Sequence, residues 1–527
     1  MFTLSRYLDQ LTHPRPPFTI EGLVDFPSQE WNRNLIRYSE LESWYDGSVL
    51  DETVERQGKE IEVYPVKINP IPNTVEKHTY FLFGQVEQDE RPLVYPKITA
   101  PDLSDDAQVK SAKALEDLLY RVWSENNGRA TQWTGGAQSN TYGGCVFRVD
   151  YDPFDPLKTV PIRIDIIHPK FFLGIPDGTN LWKLREAWII RPINHAEAKE
   201  FGVTVAPDIE PWMSEHYTKS SYECLINGDP AYRFLKGDWV PLSGENIFGF
   251  VPVVYIPHIR VWGFYGETFI ENVQGIVKEL NLRAADYGDA VTTDAHSYLG
   301  MKNVAGAPTV LQIAPGLYAI NMKSAPDFTG QAKDPDLFEI RKPSASAPME
   351  NLVDLLYEYY RRAVNVPAVV EGEDEGSQRS GLTLVTRMIS LVSHTDTERI
   401  FWTTGLNLLT RMVIKILLVK NVDQVLPEHL TFPIRQEWAP VLPRDREVIV
   451  NEVVALMGAK LGSINRLLEV LGVENPEEER GQILEDLKEI TETEAEATAK
   501  AQPPQMPQSS SSAAKGTPAR EKNTKKE

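Results

Sequence analysis

The residues best placed to act on a charged ligand are carboxylates crowded into one segment, Glu371-Gly372-Glu373-Asp374-Glu375-Gly376, followed by Gln378 and Arg379. Glu371, Glu373, Asp374 and Glu375 set against one guanidinium leave a formal −3. Such a segment is either a solvated surface turn or a lining that repels anions, phosphate included. It lacks the alternating ligands of an EF-hand loop and makes a poor calcium site. Other candidate chemistry is weaker. Gly135, Gly136, Gly143 and Gly144 fit neither G-x-x-x-x-G-K-[ST] nor G-x-G-x-x-G, so they predict turns rather than a phosphate cradle. The nine histidines include no H-E-x-x-H, and His195-Ala196-Glu197 has no downstream P-C-x-x-C, so no zinc deaminase or zincin is expected and the histidines read as scattered core or surface residues. No catalytic residue, metal or cofactor is assigned.

The acidic segment lies between two helical patterns. Before it, residues 347–365 place Leu352, Leu355, Leu356, Tyr359 and Ala363 at helical spacing, ending near Pro367. After Ser380-Gly381, no proline occurs to Lys420. Leu382, Val385, Ile389, Val392, Ile400, Leu408, Met412, Ile416 and Val419 recur at roughly helical spacing there. A continuous helix of that span would run ~60 Å at 1.5 Å per residue, a length suited to a large assembly. Upstream, a helix with Phe269, Val273, Ile276, Leu280 and Tyr287 on one stripe is predicted from Tyr265 to Ser297. The Gly- and Pro-rich stretch 299–345 is a small insert with brief β runs such as Thr309 to Ile313.

Nearer the N-terminus, residues 1–28 read as a proline-punctuated arm. A helix follows from Gln29 with Trp31, Leu35, Tyr38, Leu41 and Tyr45 inward and Gly47 as its stop. Ile61 to Pro72 reads as strand and loop. Asp106 to Asn127 reads as a helix burying Val109, Leu115, Leu118, Leu119 and Val122. Strands are predicted at Cys145–Tyr151, Val160–His168, Lys183–Pro192 and Ser221–Ile226, with turns at Asp177-Gly178 and Asn227-Gly228, and an apolar run spans Phe250 to Ile256. Pro440 to Pro443 precedes a terminal cluster with helices over 445–457, 463–471 and 475–490, the last started by Asn475, Pro476 and Glu478. From about Thr491, polar composition predicts a disordered tail, and the basic residues of Lys515 to Glu527 suit a solubilising end better than a DNA arm.

The chain has 527 residues, 42% hydrophobic and 24% charged, enough to bury a sizeable core. A net charge of −21 argues against gripping duplex DNA through a broad basic face, because such affinity comes from phosphate neutralisation. Two cysteines, Cys145 and Cys224, support no disulfide framework and read as core residues in a reducing compartment. With no signal-peptide pattern and no apolar run near ~20 residues, neither export nor a membrane is expected.

The order of short motifs resembles the portal proteins of tailed double-stranded DNA bacteriophages. The residues that carry the resemblance are Trp44-Tyr45-Asp46-Gly47, Tyr142-Gly143-Gly144, Ile167-His168-Pro169, Val251-Pro252-Val253-Val254 and Gly266-Glu267-Thr268. They continue with Val366-Pro367, Ser380-Gly381-Leu382-Thr383-Leu384, Leu442-Pro443-Arg444-Asp445, Leu461-Gly462-Ser463-Ile464 and a Pro-Glu-Glu-Glu helix start. The resemblance covers roughly residues 30–490. It implies an α+β ring subunit with a β-rich wing (29–265), stem helices (266–298 and 347–366) and a clip (299–346) between them. It further implies a tunnel loop (367–380), a long wing helix with its return segment (381–443) and a helical crown (444–490). An arm (1–28) and a disordered tail (491–527) flank these.

By the same resemblance the protein is a non-enzymatic ring, dodecameric in virions, at one capsid vertex, made in the host cytoplasm. Double-stranded DNA is packaged and ejected through its channel. The implied partners are the terminase large subunit, the major capsid and scaffolding proteins and a head-tail adaptor. Glu371, Glu373, Asp374, Glu375, Gln378 and Arg379 would then face the channel. The rival functions are a packaging-apparatus enzyme, ATPase or nuclease, and another ring of the neck or tail.

Overall fold

The computed structural model describes residues 26–51, 54–56, 59–61, 67–84, 92–235, 238–295, 298–305, 309–314, 317–321, 323–325, 330–331, 334, 336–340, 346–372, 386–422, 425–442, 446–459, 463–471 and 479–488. The chain is α+β and divides into two compact units, Met1–Leu442 and Pro443–Glu527.

The core of the first unit is a three-stranded antiparallel sheet with Gly144–Tyr151 in the middle, Val253–Pro257 on one side and Ile162–Ile167 on the other. Because successive strand residues point to opposite faces, its apolar runs cover two layers at once. Cys145, Phe147, Val149, Val254 and Ile256 join Trp402, Leu406, Leu409 and Val413 of the long helix Ile389–Val419 on one side. Val146, Val253 and Tyr255 meet Phe172, Leu184, Ala187, Ile189 and Tyr217 on the other. The latter belong to a second antiparallel sheet, a meander of Phe172–Asp177, Asn180–Pro192, Trp212–Thr218, Ser221–Ile226 and Asp229–Pro230, with Gly244–Glu245 beside Ser221–Ile226.

Between the two sheets Arg148 donates to Glu215 at 2.6 Å and to Asp165 at 2.7 Å, and Arg163 donates to Asp150 at 2.8 Å. The network satisfies a charge that two apolar layers would otherwise strand.

Helices Asp106–Glu125 and Gly128–Tyr142 cover the first sheet. At their junction, buried Asn126 donates to the carbonyls of Val122 and Ile162 and accepts from the Ile164 amide. Gln132 is fully buried yet satisfied, since it exchanges two hydrogen bonds with the backbone of Val94 at 3.0 and 2.7 Å. Val94–Ile98 in turn pairs with Ile434–Trp438.

Several expectations need correction. Gly135 and Gly136 lie inside a helix, not in turns; a Cβ on Gly136 would sit 2.6 Å from Phe83, so these glycines serve close packing. Ile71 and Pro72, expected at the end of a loop, instead open the helix Ile71–Phe83, with Pro72 in the first turn where its missing N–H costs nothing. Strands Phe172–Asp177 and Trp212–Thr218 had no clean alternation to mark them. Val109 and Tyr45 are exposed; in the first helix, Ser28–Asp46, Trp44 is buried in place of the expected Tyr45, beside Trp31, Tyr38 and Leu41.

The long helix has 31 residues, a span of ~46 Å. Residues 381–385 of its expected start lie outside the described residues. Its buried face is Leu391, Thr395, Glu398, Trp402, Leu406, Leu409 and Val413, while Ile389 and Ile400 are exposed. By length and composition this helix could cross a bilayer, contrary to the expectation, but more than half of its apolar stretch is buried in the unit as a core helix.

In the second unit, Arg446–Gly458 packs with Ile464–Val470, and residues 479–488 are helical. Asn475, Pro476 and Glu478, like the arm over 1–25 and the tail, lie outside the described residues.

A tight joint lies between the long helix and the sheet. A Cβ on Gly405 would stand 2.5 Å from Cγ1 of Ile256. Gly405→Ala is therefore expected to destabilise by about 1–3 kcal/mol through overpacking. In urea unfolding followed by tryptophan fluorescence, adding Ile256→Ala should recover part of that loss. Strictly additive losses in the double variant would show that the joint is not sterically limited.

Candidate functional site

Downstream of the sheets, Phe269–Ala295 and Ser346–Ala363 lie against each other as a helical hairpin. Two antiparallel strand pairs occur between them, Tyr298–Lys302 with Asp336–Ile340 and Thr309–Ala314 with Leu317–Asn321. The base of the hairpin is buried. Phe269, Ile270, Val273 and Val277 of one helix and Tyr360, with Val364 and Val366 just beyond the other, pack on Tyr38, Leu41, Trp44, Ile71 and Val75. Tyr360 Oη and Thr74 Oγ1 are 2.8 Å apart inside this cluster. Farther along, the apolar side chains lose their cover: Leu352, Leu355 and Tyr359 are 36%, 39% and 46% exposed, and Val291 is exposed too.

The second hairpin helix stops at Asn365, whose φ of 57° is left-handed. Pro367 is extended, and Ala368–Glu371 forms a single tight turn ending at Gly372. That turn is the root of the acidic segment. Glu371 accepts from Lys77 Nζ at 2.8 Å and from Arg361 Nε at 2.6 Å, and Tyr357 Oη donates at 3.4 Å. The two cations are themselves largely buried beside it. Burial and the Glu371 charge push the Tyr357 hydroxyl above its ordinary range, so it stays a neutral donor. Of the acidic set, Glu371 is thus a neutralised structural carboxylate. Glu373, Asp374, Glu375, Gln378 and Arg379 lie outside the described residues.

Sequence reasoning found no metal-ligating cluster, but the fold brings one together. His258, His394 and Glu398 offer ligand atoms that all lie within 4.8 Å of one another. His394 and Glu398 are one helical turn apart, and that i, i+4 spacing was the available signal. His258, following Val253–Pro257, carries no local signal linking it to them. Cys145 and Cys224 are buried free thiols, as expected for core residues.

Residues 243–493 match the family model described as phage portal protein, SPP1 Gp6-like. By this match the segment is similar to phage portal proteins. It takes in just under half of the chain, including the hairpin, the acidic segment, the long helix and all of the second unit's described residues. No curated protein matches the chain. The portal family is structural rather than enzymatic. Its rings belong to the capsid vertex.

The ion-paired root yields a direct test within the matched segment. Glu371→Gln leaves Lys77 and Arg361 without their carboxylate and is expected to cost about 1–3 kcal/mol. The exposed control Glu200→Gln should change stability by no more than about 0.5 kcal/mol. Equal unfolding midpoints for the two variants in urea would mean that the root contributes nothing.

Proposed function

We propose that the chain is the portal subunit of a tailed bacteriophage. It closes into a homo-oligomeric ring, dodecameric in the virion, at one capsid vertex. The channel of that ring carries double-stranded DNA during packaging and ejection, and the ring docks the terminase large subunit, the major capsid and scaffolding proteins and a head-tail adaptor. In this reading the hairpin is the stem, 299–346 the clip, 367–380 the tunnel loop and 444–490 the crown.

The observation that carries it is the unfinished hairpin inside the matched segment. Leu352, Leu355, Tyr359 and Val291 expose an apolar stripe that one copy leaves uncovered. A neighbouring copy offering a different surface can cover it, and a heterologous contact of that kind closes into a ring. The rival enzymatic reading has no P-loop to draw on.

The acidic segment then acts by repulsion. With Glu371 bound to Lys77 and Arg361, its unspent charge is Glu373, Asp374 and Glu375 against Arg379, a formal −2 per subunit rather than −3. Repeated around a channel, such charge discourages phosphate from lingering, within a reach of ~8 Å at physiological salt.

Negative-stain imaging of the purified protein is expected to show rings with a central hole wide enough for a duplex. Monomers at every salt and protein concentration, with and without scaffolding protein, would overturn the reading.

The triple variant Glu373→Gln, Asp374→Asn, Glu375→Gln is expected to assemble normally but to package or release DNA differently at low salt, with the difference shrinking as ionic strength rises. Packaging and ejection indistinguishable from the parent at low salt would assign the segment to an ordinary solvated turn.

A further inference from the structure

We propose that His258, His394 and Glu398 form a zinc-class metal site that locks the long helix to the central sheet at the foot of the hairpin. Nδ1 of His258 lies 3.1 Å from Oε1 of Glu398, and the two side chains are 2% and 1% exposed. Yet neither atom gains a hydrogen bond, and Nε2 of His394 is buried without one as well. A buried carboxylate and imidazole left unsatisfied at contact distance cost free energy. A cation between them would satisfy all three atoms at once.

The dimensions suit such an ion. With metal–ligand bonds of about 2.0–2.2 Å, neighbouring ligand atoms in a tetrahedral site stand about 3.3–3.6 Å apart. The 3.1 Å pair is already near that value, and the 4.8 Å limit on the set asks for shifts of about 1 Å. His394 and Glu398 share one helix face, the arrangement that lets a rigid helix supply two ligands. Two imidazoles and one carboxylate select a first-row divalent ion such as zinc over calcium or magnesium, which favour oxygen ligands throughout.

The surroundings hold the ligands in place. The His258 amide donates to the Gly143 carbonyl at 2.9 Å, anchoring that ligand to the tight Gly143 turn. His78 stands edge-on to His394, stacks on Phe269, and through Nε2 meets the Val364 carbonyl at 2.9 Å. The three ligands come from the long helix and from the end of a sheet strand, and His78 links the cluster to both hairpin helices. Their burial points to a structural ion rather than a catalytic one.

The test is independent of ring formation. Full-length protein, stripped with a chelator and dialysed, is titrated with zinc sulfate alone against a chromophoric competitor, and metal content is read by mass spectrometry. Wild type should take up about one zinc per chain and gain thermal stability as zinc is added. Cobalt(II) in its place should give the visible absorption of a low-symmetry site.

Glu398→Gln, nearly isosteric, and His394→Ala should each weaken zinc binding by about 100-fold or more, at least the loss seen when supporting contacts are removed from metal sites. His195→Ala, away from the cluster, should bind like the parent. If a variant fails to fold, circular dichroism identifies it, and the folded one of the pair decides. Overturning results are wild type that retains no zinc above the double variant His258→Ala, His394→Ala, or zinc uptake untouched by Glu398→Gln.

Discussion

Burial on both faces of the strand pair Gly144–Tyr151 and Val253–Pro257 governs the first unit. A strand covered on one side leaves its other face to water and tolerates polar residues there. These strands instead place Cys145, Phe147, Val149, Val254 and Ile256 toward the helices and Val146, Val253 and Tyr255 toward the second sheet. Each fully buried large side chain contributes roughly 1.5–3 kcal/mol, so both layers must close for the pair to be stable. The glycines follow from that demand. Gly405 brings the long helix down onto Ile256, and Gly136 brings its helix down onto Phe83, at approaches that a Cβ would forbid. Arg148 enters the interior of this sandwich together with the buried Glu215, and carboxylates from both sheets surround it.

Against that closed interior, the hairpin is unfinished. Its base is packed among Tyr38, Trp44, Ile71 and Val75, whereas its farther turns expose leucines and a tyrosine. The division matches what an oligomer needs. A buried root fixes the direction of the hairpin in each copy, and the apolar stripe beyond the root is free for the contact that the proposed ring requires. A hairpin buried along its whole length would have nothing left to offer a neighbour.

How much of this could be read in the sequence depended on whether a residue's signal is local. Helix Asp106–Glu125 is announced by its own apolar stripe, and Asn227-Gly228 by the left-handed pair a tight hairpin turn requires. The hairpin stripes were likewise visible at helical spacing, although not which part would stay uncovered. Phe172–Asp177 was hidden because its register with Asn180–Pro192 slips at Pro176, which breaks the two-residue period. The long helix is apolar on more than one face, so its period could not decide between Ile400, which is exposed, and Trp402, which is buried. Gly135 and Gly136 read as turns because close packing against Phe83 and Trp402 is a tertiary fact. The histidine cluster shows the limit best. Two of its three members were written as His394 and Glu398 at helical spacing, and the third, His258, waits on a strand end that only the folded sheet brings alongside.

One short helix, Ile71–Phe83, ties these features together. Lys77 holds Glu371, the last anchored residue before the rest of the acidic set, and the next residue, His78, reaches the Val364 carbonyl and the ring of His394. Adjacent residues on a helix point about 100° apart, so two neighbours can serve two different partners only if those partners flank the helix. The end of the hairpin and the early turns of the long helix do so. The acidic segment lies in the sequence between these two elements, both of which contact this common support. Hydrogen bonds to charged groups contribute about 1.5–3 kcal/mol each, enough to hold Glu371 in place when the charge facing it changes. The carboxylates proposed to repel phosphate, Glu373, Asp374 and Glu375, and the carboxylate anchored before them, Glu371, are therefore separate residues, and the two can vary independently in the sequence.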